Sequence, residues 1–483
     1  MKSPRSKWLI LAIIAIAQFM VVLDTSIVNV ALPAIQKSLH FGSPTSLQWI
    51  VTSYTLLFGG FLLLGGRAAD LYGRKRMFLI GVGGFTISSL AVALSGTSSL
   101  MIILRGVQGL SAAFMSPAAL SILLTTFRDG EDRNRALAVW SAVAAGGAAA
   151  GVLFGGVLTQ YLGWRWDFLV NIPVGVIVSI VAYRILPAHE SEATDTSLDL
   201  PGAALVTSGL MLLVYSLVKA PSYGWLSATT LGMLIGSAAL LIAFVINEAY
   251  AKHPLVDLKI FRQGNVAAAN LTQLPITATL FSIFFFLSLY LQQILHYSPV
   301  RSGLAFLPVT FIIGFTATFV GRAIGKVGYK PFLVVAPLVM ASALYLLSGI
   351  PVEGSYIRDV LPGLALMAIG LGTTFVSLTI AATGGVAPDK SGLASGLINT
   401  SQQIGGALGL AILSGVSTTA IASYISEAHQ QVTPTLQALA VVHGFHSAFL
   451  VGMGFAIAAS VIALVLVRQR KGQVGASDAV MVH

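Results

Sequence analysis

The chain of 483 residues contains no cysteine. Disulfides and thiolate metal sites are therefore excluded. It is also poor in charge: 9% of its residues are Asp, Glu, Lys or Arg, against about 25% in an ordinary soluble domain. No Gly-x4-Gly-Lys-Ser/Thr loop occurs, so nothing marks a site for nucleotide phosphates. His-Glu-x-x-His, a cysteine nucleophile and a clustered acid pair are absent too, which leaves a membrane enzyme with little to work with. The formal charge of +10 does not indicate nucleic acid. That reading needs a basic patch on a soluble domain, and here the basic residues form short clusters between apolar runs. No cofactor and no metal are expected.

Apolar length is abundant: 56% of the residues are hydrophobic. Crossing a hydrocarbon core of roughly 30 Å takes about 20 apolar residues in a helix. Fourteen runs meet that length, at 8–33, 47–66, 77–96, 99–124, 135–160, 166–186, 200–219, 227–250, 265–294, 300–324, 331–350, 358–384, 391–422 and 440–467. The first lacks a small-residue cleavage site and is read as a retained helix. With both termini placed in the cytoplasm, 21 of the 27 Lys and Arg fall on the cytoplasmic side. Five fall outside (Lys37, Arg165, Lys219, Arg301 and Arg358), and Arg105 lies within a run. That bias fixes the orientation, although twelve crossings would satisfy it equally.

The chain repeats itself. GRAADLYGRK at 66–75 and GRAIGKVGYK at 321–330 share five of ten residues. At nearly the same offset GAAAG (147–151) faces GGALG (405–409). The expected fold is an all-α membrane protein of 14 transmembrane helices, in two pseudo-symmetric six-helix bundles with two inserted central helices. The expected limits are 8–186 for the first bundle, 187–264 for the inserted pair and its linkers, 265–467 for the second bundle and 468–483 for a cytoplasmic tail. Repeats of this kind build many secondary transporters, with the substrate site between the halves.

The motifs now resemble a known family. LDTSIVNVALP (23–33), GRAADLYGRKR (66–76), LRGVQGLSAA (104–113), GWRWDFLVNIPVG (163–175) and HPLVDLKIFR (253–262) resemble signatures of the major facilitator superfamily, specifically its 14-helix drug:proton antiporter branch. The resemblance covers nearly the whole chain. One departure stands in the fifth run, where GAAAGVLFGG (147–156) has Val152 in place of the family's proline. Without that proline the helix is expected to be straighter, which weakens the inference of antiport.

Asp24 is the first candidate for chemistry. It lies roughly 24 Å along a helix from Trp8, inside the membrane. Insertion scales charge about 2.5–3.5 kcal/mol for an aspartate at a helix centre. A carboxyl that can be neutral or charged can carry a proton or match a cationic substrate, and competition between the two gives exchange. The alternative is a static acid bonded to Thr25, Asn29 or a neighbouring helix. Arg105 keeps its charge in any site. It can tune Asp24 or hold a helix interface; the resemblance implies a part in proton coupling. In the loop after the second run, Gly66 and Gly73 permit a tight turn, and Arg74 and Lys75 anchor at the cytoplasmic face. The resemblance implies that Asp70 acts as a latch toward the start of the thirteenth run, near Ser391. Gly147, Gly151 and Gly155 share one helix face. With Gly156 they are expected to pack and gate against the thirteenth run around Gly405 and Gly409. Asn29, Tyr54, Gln108, Asn399 and Gln402 are candidates for the cavity wall. Phe281 and Phe284–Phe286 could form an aromatic wall for flat cations but are expected to face lipid, Glu248 to form a surface ion pair, and His443 and His446 to be exposed.

The sequence thus predicts a monomer in the lipid bilayer of the cytoplasmic membrane that exchanges protons for a small hydrophobic or cationic substrate. The alternatives are an exporter of the same fold for a lipid, a metabolite or a self-made antibiotic, and more remotely a membrane enzyme or a non-transporting sensor.

Overall fold

The computed structural model describes residues 4–42, 44–127, 131–187, 198–386, 391–428, 431 and 433–469. Backbone amides and carbonyls have no water to bond in a hydrocarbon layer, so a spanning segment satisfies them internally as a helix. The long apolar runs do so. In chain order they are α1 (Pro4–Ser38), α2 (Trp49–Tyr72), α3 (Arg74–Ala93), α4 (Ser98–Thr126), α5 (Glu131–Tyr161), α6 (Trp166–Ile185) and α7 (Leu200–Tyr223). Next come α8 (Ala228–Tyr250), α9 (Val266–Leu289), α10 (Pro299–Val327), α11 (Lys330–Leu347), α12 (Leu361–Thr383), α13 (Ser391–Glu427) and α14 (Pro434–Leu466). No strand occurs among the described residues. Thirteen helices among those residues are long and apolar enough to cross a membrane. The 31-residue α5 occupies the place of the expected fifth span. The loop HESEATD (189–195) and residues 470–483 of the expected tail lie outside the described residues.

Local chemistry sets several boundaries. Thr97 caps α4 by accepting the amide of Leu100 at 3.3 Å, and Thr433 caps α14 through Leu436 at 3.2 Å. Each meets one of the amides that a helix start leaves unpaired. Gly73 separates α2 from α3 with φ at 92°, a backbone that favours glycine. Large apolar side chains cover the outer faces. Phe311, Phe315 and Phe319 repeat every fourth residue along α10 and are 65–77% exposed, a stripe suited to acyl chains rather than water.

The chain divides into two compact units. The first comprises Met1–Leu213, Met233–Val256 and Tyr297–Phe306; the second comprises Val214–Gly232, Asp257–His296 and Leu307–His483. Residues of α7 and α8 are shared between them. Within the first unit α1 packs on α4, α5 and α6, α4 packs on α2 and α3, and α3 packs on α6. Within the second, α9 packs on α12, α13 and α14, and α11 packs on α12 and α14. Gly372 of α12 sits against Ile313 and Thr316 of α10, as Gly109 of α4 sits against Tyr54 of α2. Helix pairings in one unit therefore recur in the other, as the sequence repeat predicts.

The glycine row corrects an expectation. Gly147 faces Phe19 and Val22, Gly151 faces Leu23 and Ser26, and Gly155 faces Ile27. All belong to α1, so α1 takes the face that was expected to meet the thirteenth span. Gly405 faces Leu274 and Thr277, and Gly409 faces Ala278, all on α9. The small residues thus let α5 approach α1 and α13 approach α9, one seam in each bundle. Gly156 instead meets Pro299 and Val300, and Gly303 meets the carbonyl of Val152. The valine at the proline position therefore lies where the start of α10 crosses α5.

Candidate functional site: a buried charge cluster in the first bundle

Asp24 on α1 and Arg105 on α4 are 0% and 1% exposed. Arg105 Nη1 lies 2.5 Å from Asp24 Oδ2. Gln108 Nε2 donates to Asp24 Oδ1 at 2.8 Å, and Asn171 Nδ2, from α6, donates to the same oxygen at 2.9 Å. The carboxylate therefore accepts from three side chains on two neighbouring helices. Gln108 sits one turn beyond Arg105. Its Oε1 accepts from Arg105 Nη1 at 2.6 Å, and its Nε2 also reaches Ser89 Oγ on α3 at 2.8 Å. Arg105 Nε donates to the carbonyl of Ile50 at 3.2 Å. The ring of Tyr54 lies 4.4 Å from the guanidinium carbon and that of Phe168 lies 5.6 Å away. A guanidinium between aromatic faces gains cation–π attraction in addition to its ion pair.

Two sequence expectations change here. Asp24 was expected to carry a proton or match a cationic cargo, or else to be held by Thr25, Asn29 or a neighbouring helix; in this arrangement neighbouring helices hold it, and its cation is Arg105. Thr25 and Asn29 do not hold it. Thr25 Oγ1 donates to the carbonyl of Val22 at 2.8 Å, and Asn29 donates to the carbonyl of Thr25 at 3.2 Å. Of the candidate cavity residues, Tyr54 and Gln108 join the cluster. Asn29 is half-buried, Asn399 is exposed and Gln402 is half-buried; the latter two lie on α13, in the second unit.

Charged groups taken out of water are tolerated where they are paired and hydrogen-bonded. Removing one partner of such a pair costs about 3–5 kcal/mol. Protonating Asp24 has the same electrostatic consequence as removing it, because Arg105 cannot give up its charge. A change that left the guanidinium without Asp24 would require other acceptors for it. Gln108 Oε1 and the Ile50 carbonyl already stand beside it.

The motif at 66–76 is built differently. Asp70 lies 3.8 Å from Arg74, with the two side chains 55% and 30% exposed, so their pairing adds little stability. Lys75 Nζ donates to the carbonyls of Tyr183 at 2.7 Å and Leu186 at 2.8 Å, which ties the start of α3 to the last turn of α6. Gly66 is in ordinary contact with Pro117.

Other expectations need revision. Glu248 is 3% exposed and forms no ion pair among the described residues. Its Oε2 accepts the amide of Val256 at 2.8 Å. Nearby, Asp199 accepts from the amide of Gly202 at 2.8 Å and from Asn247 Nδ2 at 2.6 Å. Phe285 and Phe286 are buried and do not face lipid; Phe286 packs 5.4 Å from Phe445. His443 is exposed as expected, whereas His446 is half-buried with Nε2 2.6 Å from the carbonyl of Ile350. Two buried acids, Asp167 and Asp199, are not among the sequence candidates. Asp167, inside the GWRWDFLVNIPVG landmark, is 0% exposed. The cost argument applied to Asp24 would have found it.

These features define the class: a polytopic helical membrane protein of two repeated bundles, with an ion pair locked inside one of them. The major facilitator superfamily pattern matches residues 14–410, and the chain belongs to that superfamily. It is 37% identical over 97% of its length to the puromycin resistance protein of Streptomyces alboniger, covering 92% of that protein. It is 38% identical over 88% of its length to the cephamycin export protein of Amycolatopsis lactamdurans, covering 90% of it. Among solved structures it resembles a bacterial homologue of the human lysosomal transporter Spinster, in an inward-facing and occupied conformation. The TM-score is 0.70 at 15% identity, over 97% of this chain and 98% of that one; this likeness speaks for the fold alone.

Proposed function

We propose that this protein exports hydrophobic or cationic small molecules across the cytoplasmic membrane in exchange for protons, with both termini in the cytoplasm. It is not an enzyme in this reading and works as a monomer. The observation that carries the proposal is the buried Asp24–Arg105 pair joining α1 to α4. An ionisable residue inside a membrane bundle is a functional candidate by default. Here protonation would loosen a cluster that also holds α3 and α6. A proton from outside neutralises Asp24, Arg105 turns to its other acceptors, and the helices of the first bundle shift against one another. That shift is the event to which outward release of cargo is coupled. Asp70 acts at the cytoplasmic side as a latch, and the glycine seams between α5 and α1 and between α13 and α9 allow the bundles to move as units. The names of the relatives, which concern antibiotic resistance and export, support export as the direction.

Ethidium uptake into inside-out vesicles tests the reading. An acid-inside gradient should accelerate uptake by the wild type and leave Asp24→Asn unaffected. Wild-type uptake indifferent to the gradient overturns proton coupling. A second reading, export of one antibiotic made by the host cell, is favoured by relatives each named for a single compound. It predicts that expression protects cells from one compound and leaves ethidium sensitivity unchanged.

A further inference from the structure

The first bundle buries a second acid that the mechanism above does not use. Asp167 stands on the first turn of α6, one turn before Asn171, whose amide donates to Asp24 Oδ1. Four residues of helix rise by roughly 6 Å. Thr159 Oγ1, from α5, donates to Asp167 Oδ2 at 2.5 Å. Oδ1 is buried and has no hydrogen-bond partner, and the same is true of Trp164 Nε1 three residues earlier. One of these groups is an acceptor and the other an obligatory donor. Both sit at the turn that opens α6, and a buried polar atom of this kind is commonly satisfied by water.

The turn separates exposed residues from the charge cluster. Tyr161, Leu162, Arg165 and Trp166 are exposed while Trp164, Asp167 and Phe168 are buried. The Arg165 guanidinium stacks on the Trp164 ring at 4.5 Å. The Phe168 ring borders Arg105. The helices packed against this turn are α1, α3, α5 and the rest of α6. The charged groups about it are Asp24 on α1, Arg105 across Phe168, and Arg165 at its own start. The α3 and α5 helices bring hydroxyls, Ser89 and Thr159. A carboxylate with one oxygen unpaired and no bonded cation is costly in a dry interior, whereas a carboxylic acid there is not.

We propose that Asp167 is a second proton-carrying acid, placed in series with Asp24 and facing the loop between α5 and α6. A hydronium ion at that loop gives its proton to Asp167 Oδ1 and leaves as water. The carboxylic O–H then passes the proton on toward the Asp24 carboxylate. Asp167 becomes the anion, and Asp24 becomes the neutral acid that releases Arg105. Thr159 holds the carboxyl in place through Oδ2 and leaves Oδ1 for the transfer. This assignment rests on the proton-coupled reading given above.

The test uses the full chain in inside-out vesicles with ethidium as the probe, comparing wild type, Asp167→Asn and Asp167→Glu. Asparagine keeps the size and the acceptor for Thr159 but cannot carry a proton. Gradient-driven uptake should fall roughly 100-fold in Asp167→Asn, the scale of a lost proton-transfer group, while ethidium exchange without a gradient persists. Asp167→Glu should restore gradient-driven uptake with a displaced pH midpoint. If Asp167→Asn responds to the gradient like the wild type, the inference is wrong and the proton-coupled reading stands. If the wild type ignores the gradient, both fail. If Asp167→Asn does not fold, Asp167→Glu decides: an unmoved pH midpoint assigns Asp167 a structural role and overturns the proposal.

Discussion

The two bundles share their helix pairings and differ in what they bury. Among the described residues the buried charged side chains are Asp24, Arg105, Asp167, Asp199 and Glu248, and all lie in the first unit. The second unit buries phenylalanines, serines and threonines instead. Where α1 meets α6 through Asp24 and Asn171, α9 meets α14 through Thr279 Oγ1 and the carbonyl of Gly452 at 3.3 Å. Among the described residues, the buried ion pair of the duplicated scaffold thus stands on the first copy. Hydroxyls satisfied by backbone carbonyls cost little in lipid and respond weakly to pH. A buried ion pair responds to a single proton because neutralising one member strands the other.

That difference can be broken experimentally, and the largest effect is expected at Arg105. Arg105→Ala leaves Asp24 without its cation and should cost about 3–5 kcal/mol, seen as a sharply lowered Tm in detergent and loss of ethidium transport. The double variant Asp24→Asn with Arg105→Gln should recover much of that stability while transport stays abolished. A double variant no more stable than Arg105→Ala would show that the pair is not the coupled unit described here.

Packing seams should give the next effect, equally in both bundles. A Cβ on Gly409 would lie 2.2 Å from Ala278 Cα, and one on Gly151 would lie 2.7 Å from the Leu23 carbonyl. Gly409→Ala and Gly151→Ala should each cost about 1–3 kcal/mol, as overpacking does, in a thermal-unfolding assay. A neutral result at either seam would mean that the helices there can separate freely. In the apolar core of the second bundle, Phe286→Leu should cost less, near 1 kcal/mol, and leave the pH dependence of transport unchanged. An altered pH profile in that variant would sink the idea that proton chemistry is confined to the first bundle.

The smallest stability effect is expected at Asp70. Its contact with Arg74 is exposed, and such pairs contribute about 0–1 kcal/mol. Asp70→Asn should therefore leave Tm within experimental error while slowing transport, if the residue acts as a latch. Unchanged transport rates would reduce the motif to a topological anchor.

Much of this was legible before any coordinates. Fourteen apolar runs dictated a helical membrane protein, because lipid offers backbone groups no other partner. The repeated GRAADLYGRK and GRAIGKVGYK motifs announced two equivalent bundles, and the expense of an acid in lipid singled out Asp24. The same expense applies to Asp167 and Glu248, but one lies inside the GWRWDFLVNIPVG motif and the other near a helix end, where a charge is ordinarily solvated. Partners were not legible. The glycine row at 147, 151 and 155 promises close approach to some helix, but its spacing does not say which, and the answer is α1.

Sequence alone therefore determined which segments are apolar enough to enter the membrane and which residues are too costly there to be incidental. Tertiary structure decided who neutralises whom: that Asp24 meets Arg105, Gln108 and Asn171, and that Asp167 meets Thr159 of α5. The reason is physical. Transfer from water to lipid is a property of each residue in turn and sums along the chain. An ion pair depends on a few ångströms between residues 81 positions apart, and only the packing of the helices sets that distance.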